Sequence, residues 1–320
     1  MAKAGLKENI HGKHFRGNTL RILDSEYSLY LFILPAIITT LVFSYLPMFG
    51  NIIAFMDYDM TKGWMGLQSP FVGFHWFKQI FTDEYFTHLI SRTVYFNVFV
   101  LILGFPAPLI LALMINELRI RLFKRVVQTI SYLPYFVSWV TIASLIYLFL
   151  STDTQGVINN IMQMLFHGER VIYMKEPANF PMILLITSIY KTAGWGSILY
   201  LAAIASIDAQ LYEAARIDGA GRWKQFAYVT FPGILPTTII LLILTLGSFF
   251  SSNFDQVFNL QNELIRQETD VISVYTYTAG VQDRQYSIAS AVGLFQGVLN
   301  ALLLWLSNIF SKKVTDYGLF

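Results

Sequence analysis

The chain of 320 residues contains no cysteine, which excludes a disulfide framework, a thiolate nucleophile and a cysteine-held metal cluster. Charge is scarce. Asp, Glu, Lys and Arg make up 13% of the residues, against roughly 25% in an ordinary soluble domain, and the net charge is only +2. So small an excess leaves no basic surface of the kind that holds nucleic acid. A phosphate-cradling Gly-x-x-x-x-Gly-Lys-Ser/Thr loop is also missing, the one Gly-Lys pair being Gly12-Lys13 in a polar stretch, so the chain has no P-loop with which to hydrolyse ATP. His11, His14, His75, His88 and His167 are scattered without metal-ligand spacing. The paired carboxylates Asp83 and Glu84 have no legible apolar pocket around them, which gives general acid-base catalysis little support. Internal repeats and low-complexity tracts are absent.

What remains is apolar: 55% of the residues are hydrophobic and 16% aromatic. About 20 apolar residues cross a hydrocarbon core as a helix. Six stretches meet that length: Leu29 to Phe55, Val94 to Leu118, Ile130 to Leu150, Met182 to Ala205, Leu235 to Phe254 and Ile288 to Phe310. The expected fold is therefore an all-α polytopic membrane protein with six transmembrane helices over 29–310, preceded by a polar segment 1–28 and followed by a tail 311–320. Pro35, Pro47, Pro106, Pro108, Pro134 and Pro236 lie inside these stretches, where kinks rather than gaps are expected. Segment 1–28 lacks the apolar core and cleavage site of a secretory signal, so the first span is expected to target the chain.

Lys and Arg set the orientation. Lys3, Lys7, Lys13, Arg16, Arg21, Arg119, Arg121, Lys124, Arg125, Arg216, Arg222, Lys224, Lys312 and Lys313 fall on one side, fourteen in all, against six on the other: Lys62, Lys78, Arg170, Lys175, Arg266 and Arg284. Both termini are expected to be cytoplasmic. The three outer loops run for about 30 residues each, long enough for functions of their own. Trp64, Phe71, Phe74, Trp76 and Phe77 in the first of them read as an interfacial aromatic belt or as a sugar-stacking surface.

A polar island at 206–232 separates the fourth and fifth stretches. Asp208 is a good N-cap for Ala209 to Ile217, a run of helix formers in which Leu211, Ala214, Ala215 and Ile217 can share a face. Gly219 can leave that helix with positive φ, and a second short helix is expected to end at Pro232. Ala214 and Ala215 are small enough for another protein to approach their backbone closely, with Glu213 and Arg216 fixing register. Anchoring a link between spans would account for the same properties.

Glu213-Ala214-Ala215, Gly219 and the close Val229-Thr230-Phe231-Pro232 also carry a resemblance. They are similar, at the same spacing, to the Glu-Ala-Ala signature of the permease subunits of binding-protein-dependent ABC importers, with Val and Phe where that signature has Ile and Leu. The likeness covers most of the chain and narrows to the carbohydrate branch. It is carried by Phe71-Val72-Gly73 ahead of His75-Trp76-Phe77, Gln155-Gly156-Val157-Ile158-Asn159, Tyr190-Lys191 with Gly194-Trp195, and Thr269-Asp270-Val271 before Tyr275. Within that branch it most resembles permeases for oligosaccharides, including uronate-containing ones of alginate or pectin type. The resemblance implies location in the cell inner membrane and a pore made with a second permease subunit, similar or identical. It further implies two ATP-binding subunits that use ATP and Mg and dock at Glu213, Ala214, Ala215, Asp218 and Gly219, and an extracytoplasmic solute-binding protein. The chain itself would bind no cofactor, and lipid would surround it.

Polar groups inside spans are costly, about 2.5 to 3.5 kcal/mol for a mid-helix lysine, which makes each a functional candidate. Lys191, with Tyr190 and Trp195, offers a cation, a donor and a stacking ring to a sugar; the alternatives are that Lys191 pairs with an acid of a partner or snorkels. Asn97, Asn253, Gln296 and Asn300 read better as interhelical hydrogen bonders than as ligands. Asp255, beside Asn253 and Gln256, is placed either to gate passage or to sit as a helix-end charge. Two other classes of function compete. A secondary transporter or channel would require inverted repeats or a relay of mid-span acids, which the sequence lacks, and a membrane-embedded enzyme would require clustered His, Asp or Ser near one membrane face.

Overall fold

The computed structural model describes residues 30–63, 66, 68–153, 156–167, 169–315 and 317–319. The predicted segment 1–28, Leu29, Trp64, Gln155, and positions 316 and 320 of the tail lie outside the described residues. Among the described residues the chain is helical, with a single antiparallel bridge, Met56 to Phe71, in place of any strand. It divides into two compact units, Met1–Ile53 and Ala54–Phe320.

The first unit is represented by most of helix α1, Tyr30–Phe55, whose residues up to Ile52 are all exposed. A π-helical turn, Leu41–Tyr45, precedes Pro47. Proline has no N–H for the ladder and crowds the carbonyl four residues back, and a turn bonded at i→i+5 widens the helix to take it in.

In the second unit α2, His75–Thr82, lies in the first of the three long loops expected to be the outer ones. Helix α3, Glu84–Gly104, starts about ten residues before the apolar run does, because the Asp83 carboxylate caps it, accepting from the Tyr85 N–H at 2.9 Å. That early part carries Glu84, His88 and Arg92, which hydropathy alone keeps out of a span. Helix α4, Pro106–Asn116, continues from it, with proline where the missing N–H costs nothing.

The third predicted span is not a kinked helix but a broken one. Helix α5, Arg121–Tyr132, tightens into a 3-10 turn, Leu133–Phe136, and α6, Trp139–Phe149, departs at 99°. Pro134 supplies no donor, Val137 and Ser138 are extended, and the Ser138 hydroxyl accepts from the Thr141 N–H to open a new helix. Helix α7, Val157–Phe166, follows in the second outer loop, then α8, Phe180–Ala205, and α9, Ala209–Ile217. The next helix, α10, runs without interruption over Arg222–Gly247. Pro232 therefore does not end a surface helix as expected. A second π-helical turn, Phe226–Thr230, absorbs it, and the surface segment is fused to the span. That span stops at Gly247 instead of reaching Phe254, and residues 248–253 form a turn before α11, Phe254–Leu260. Helices α12, Arg266–Thr269, and α13, Ile272–Tyr277, complete the third outer loop, and α14, Tyr286–Thr315, closes the chain. Among the described residues five helices are long and apolar enough to cross a membrane, six when α5 and α6 count as one broken span.

The outer loops are part of the core. Val257, Leu260, Ile265, Val271 and Val274 pack with Phe96 of α3, Ala143 of α6 and Phe180 and Leu184 of α8, all at most 5% exposed. A second cluster joins Ile80, Phe86, Leu89, Ile272 and Val292, and a smaller one joins Ala112, Tyr200, Ile204 and Ile234. Between helices in lipid there is no hydrophobic drive. Where a loop meets water, each such side chain removed from it contributes about 1.5 to 3 kcal/mol. Inside the bundle small residues do the work: a Cβ on Gly194 would lie 1.8 Å from the Ser131 carbonyl oxygen, so α8 and the end of α5 touch backbone to backbone only with glycine there.

Candidate functional site

The island between α8 and α10 is built by local rules. The Asp208 carboxylate accepts from the Gln210 N–H at 2.9 Å and opens α9. At its end the Gly219 N–H donates to the Arg216 carbonyl at 3.0 Å and the Ala220 N–H to the Ala215 carbonyl at 2.8 Å, with Gly219 at φ 76°. These two bonds are the Schellman pair, which needs a left-handed residue at this position. Three ties hold the element. Tyr212 Oη lies 2.9 Å from Thr230 Oγ1, Gln225 Nε2 donates to the Ala220 carbonyl at 2.8 Å, and Arg222 pairs with Glu117, the residue after α4, at 3.1 Å. The ion pair is exposed on both sides and worth at most about 1 kcal/mol. Glu213, Ala214, Asp218 and Gly219 are exposed, Ala215 is half-buried, and Ile217 and Trp223 stand 87% and 84% exposed. A polar link in water would not normally present both. The surface is apolar, small-residued and rimmed with charge.

A cavity of about 320 Å³ opens among α3, α4, α8 and α10, near the lower limit for small-molecule sites. Asn97, Gly104, Trp195, Gly196, Thr245 and Asn253 are among the residues that line it. Of the five residues proposed from sequence for a substrate path, the structure brings Trp195 and Asn253 to this cavity. Tyr190, Lys191 and Asp255 are not in its wall, although Lys191 is close enough to Asp255 for their charges to interact.

The intramembrane polar residues act alike, satisfying backbone groups freed where helices break. Lys191 Nζ donates to the Tyr135 carbonyl at 3.1 Å and to the Val137 carbonyl, and lies 5.2 Å from the Trp139 ring centroid. It thereby caps the α5–α6 break, a use not foreseen beside an acidic partner or snorkelling. Trp195 stacks on Tyr135 at 4.6 Å and 8°, covering the same break. At the 248–253 turn, Asn97 Nδ2 donates to the Phe249 carbonyl at 2.7 Å and Asn97 Oδ1 accepts from Asn253 Nδ2 at 2.7 Å. Gln296 Nε2 donates to the Phe250 carbonyl and Asn300 Oδ1 accepts from the Phe250 N–H, both at 2.8 Å. Asn253 itself is left-handed, φ 65°, a conformation asparagine tolerates.

Two outer-loop residues escaped sequence reasoning although both lie in stretches that carry the resemblance. Asp270, 2% exposed, accepts from Tyr85 Oη at 3.0 Å, and the Ile272 N–H two residues on donates to Thr93 Oγ1, fastening the third outer loop to α3. Burial raises the pKa of this carboxyl above its ordinary value, against the hydrogen bond from Tyr85 and the charges of Arg266 and Arg92. Asn159, also 2% exposed, closes the second loop on itself by bonding the Ser151 and Val171 backbone. In the first, Phe55 packs against Phe71, Phe74 and Phe77, and Trp76 Nε1 donates to the Met56 carbonyl at 2.8 Å, so these rings hold one another.

Comparison with known proteins places these features. Residues 104–316 match the family of binding-protein-dependent transport system inner membrane components. The chain is 41% identical over 298 residues to the protein LplB of Bacillus subtilis (strain 168), covering 93% of this chain and 92% of that one. It is 39% identical over 301 residues to the polygalacturonan/rhamnogalacturonan transport system permease protein YteP of the same organism, covering 94% and 92%. Its fold is similar to a chain of a bacterial alginate ABC transporter solved with an alginate pentasaccharide-bound periplasmic protein, with a TM-score of 0.85 and 37% identity over 93% of this chain and 99% of that one. The chain belongs to the binding-protein-dependent transport system inner membrane component family, as a multi-pass ABC importer permease.

Proposed function

We propose that this chain is one permease half of an ATP-driven importer of uronate-containing oligosaccharide or polysaccharide, of alginate or pectin type, received from an extracytoplasmic solute-binding protein. It lies in the inner membrane with both termini cytoplasmic. A second permease subunit, similar or identical, completes the pore, and two ATP-binding subunits that use ATP and Mg dock on the loop 206–232 through Glu213, Ala214, Ala215, Asp218 and Gly219. The observation that carries the cargo is likeness over nearly the whole chain to permeases named for two acidic polysaccharides of different kinds. Support for the docking comes from the exposed small and apolar surface of α9 and its ties to α10. Because α10 is a continuous helix from Arg222 to Gly247, a push on the loop tilts a span instead of bending a linker. The cavity walled by Trp195 and Asn253 is the proposed path, with Tyr190, Lys191 and Asp255 beside it.

The test is ATPase stimulation in proteoliposomes holding the assembled transporter, with the binding protein presented empty, loaded with oligogalacturonide or oligoalginate, or loaded with a neutral oligosaccharide. Stimulation several-fold larger with the uronate cargo is expected. Equal stimulation by the neutral cargo overturns the specificity, and failure of the ATPase subunits to co-purify with the chain overturns the assembly.

A further inference from the structure

Helix α7, Val157–Phe166, faces the wrong way for a helix in a watery loop. At 100° per residue, Val157, Ile158, Ile161, Met162, Met164 and Leu165 occupy an apolar arc of roughly 160°, and all six are exposed, Met164 by 81% and Leu165 by 66%. The polar side is the held side. Asn159, 2% exposed, donates through Nδ2 to the carbonyls of Ser151 at 2.8 Å and Val171 at 3.0 Å, and accepts at Oδ1 from the Val171 N–H at 2.9 Å. Arg170 donates to the Thr152 and Asp153 carbonyls and to Asn160 Oδ1. Gly156 lets the loop close, since a Cβ there would lie 1.9 Å from the Ser151 carbonyl oxygen. The clamp fixes the rotation of α7 about its axis, and so fixes which face it presents.

We propose that α7 is an in-plane membrane anchor whose apolar face sits among the acyl chains of the outer leaflet. Three observations select lipid over a protein partner. The helix contains no charged residue, so its face offers no charge for a partner's register. It follows closely on α6, one half of the bent apolar pair long enough to enter a membrane. It packs against α6, whose Leu145, Leu148 and Phe149 are themselves about 40% exposed. Headgroup charge plays no part, because the residues nearest the ends of α7 include Asp153 and Glu169 and the guanidinium of Arg170 is committed to the clamp. In this position α7 holds the outer end of α6 at a fixed depth while the α5–α6 break moves.

The absence of native cysteine permits a clean test. Ile161→Cys and Met164→Cys are made in the full chain, spin-labelled, and reconstituted with the assembled transporter in liposomes of neutral lipid, with Glu169→Cys as the water-facing reference. Collision with oxygen and with a water-soluble nickel chelate is then measured with and without the binding protein. Oxygen accessibility several-fold above that of the chelate at 161 and 164, with the reverse at 169, and no change on adding binding protein, is expected. Low accessibility to both reagents identifies a protein cover, and high accessibility to the chelate identifies water. Either result overturns the proposal, whereas failure of transport specificity alone leaves these labels' response unchanged.

Discussion

Gly219 turns the chain out of α9 at φ 76°, and a Cβ there would meet nothing within 4 Å. Substitution therefore perturbs the backbone without a clash. A side chain in the left-handed region costs roughly 1 to 2 kcal/mol, comparable to the net worth of the two Schellman bonds at about 1 kcal/mol each. That is enough to redistribute the turn by a factor of roughly 5 to 30, and small beside the 5 to 15 kcal/mol that holds a domain. Gly219→Val is accordingly expected to insert and melt like the parent while losing most binding-protein-stimulated ATPase activity in proteoliposomes; Gly219→Asn, which tolerates the left-handed region, keeps most of it. Unchanged stimulation by the valine variant removes Gly219 from the coupling machinery. This residue was legible because glycine two places beyond a helix of good formers has few other uses. Asp270 and Asn159 were not, since nothing in a single sequence tells a carboxylate or amide that clamps a loop from one that is solvated.

At the scale of elements, hydropathy found the apolar stretches and missed where they stop being helix. A run of apolar residues reports length, whereas a break depends on which backbone groups find partners. Pro134 in α5–α6 and Pro236 in α10 look alike in sequence. The first precedes extended residues with a lysine donor on the facing helix; the second lies inside an unbroken helix. The four amides near 248–253 were expected to bridge helices and do so, but to backbone freed by the end of α10 as much as to side chains. Lys191 separates the two readings of an intramembrane cation. As a cap for the Tyr135 and Val137 carbonyls, it contributes to stability: Lys191→Met leaves those acceptors bare, at about 1 to 3 kcal/mol, and lowers the thermal midpoint in detergent, while Lys191→Arg keeps donors in reach and most of the stability. As a ligand for a sugar carboxylate alone, it would leave both midpoints at the parental value and change only uptake.

For the whole molecule the two breaks and the cavity form one arrangement. Trp195 stacks over the α5–α6 break and Asn253 ends the turn after α10, and both line the same space, so a rearrangement at either break changes the cavity wall. Helices packed at native density switch between discrete arrangements more readily than they deform, and the breaks are where backbone can pivot without losing a ladder. Helix α10, continuous from the loop at Arg222, ends at one of them, at Gly247. Force applied at the loop should therefore reach the cavity. Thr192 and Thr245 are exposed residues of its wall on α8 and α10, and their hydroxyls bond only to their own helices, at 2.8 Å each. Thr192→Cys and Thr245→Cys in this cysteine-free chain are expected to fold and transport, and then to lose uptake when a bulky membrane-impermeant thiol reagent reacts from the side to which the cavity is open. Trapping the assembled transporter with ATP and vanadate should change the reaction rate at both positions by at least several-fold, as the cavity exchanges one side for the other. If both thiols react at the same rate in the resting and trapped states, and full modification leaves uptake intact, the cavity is a packing void and the solute crosses elsewhere.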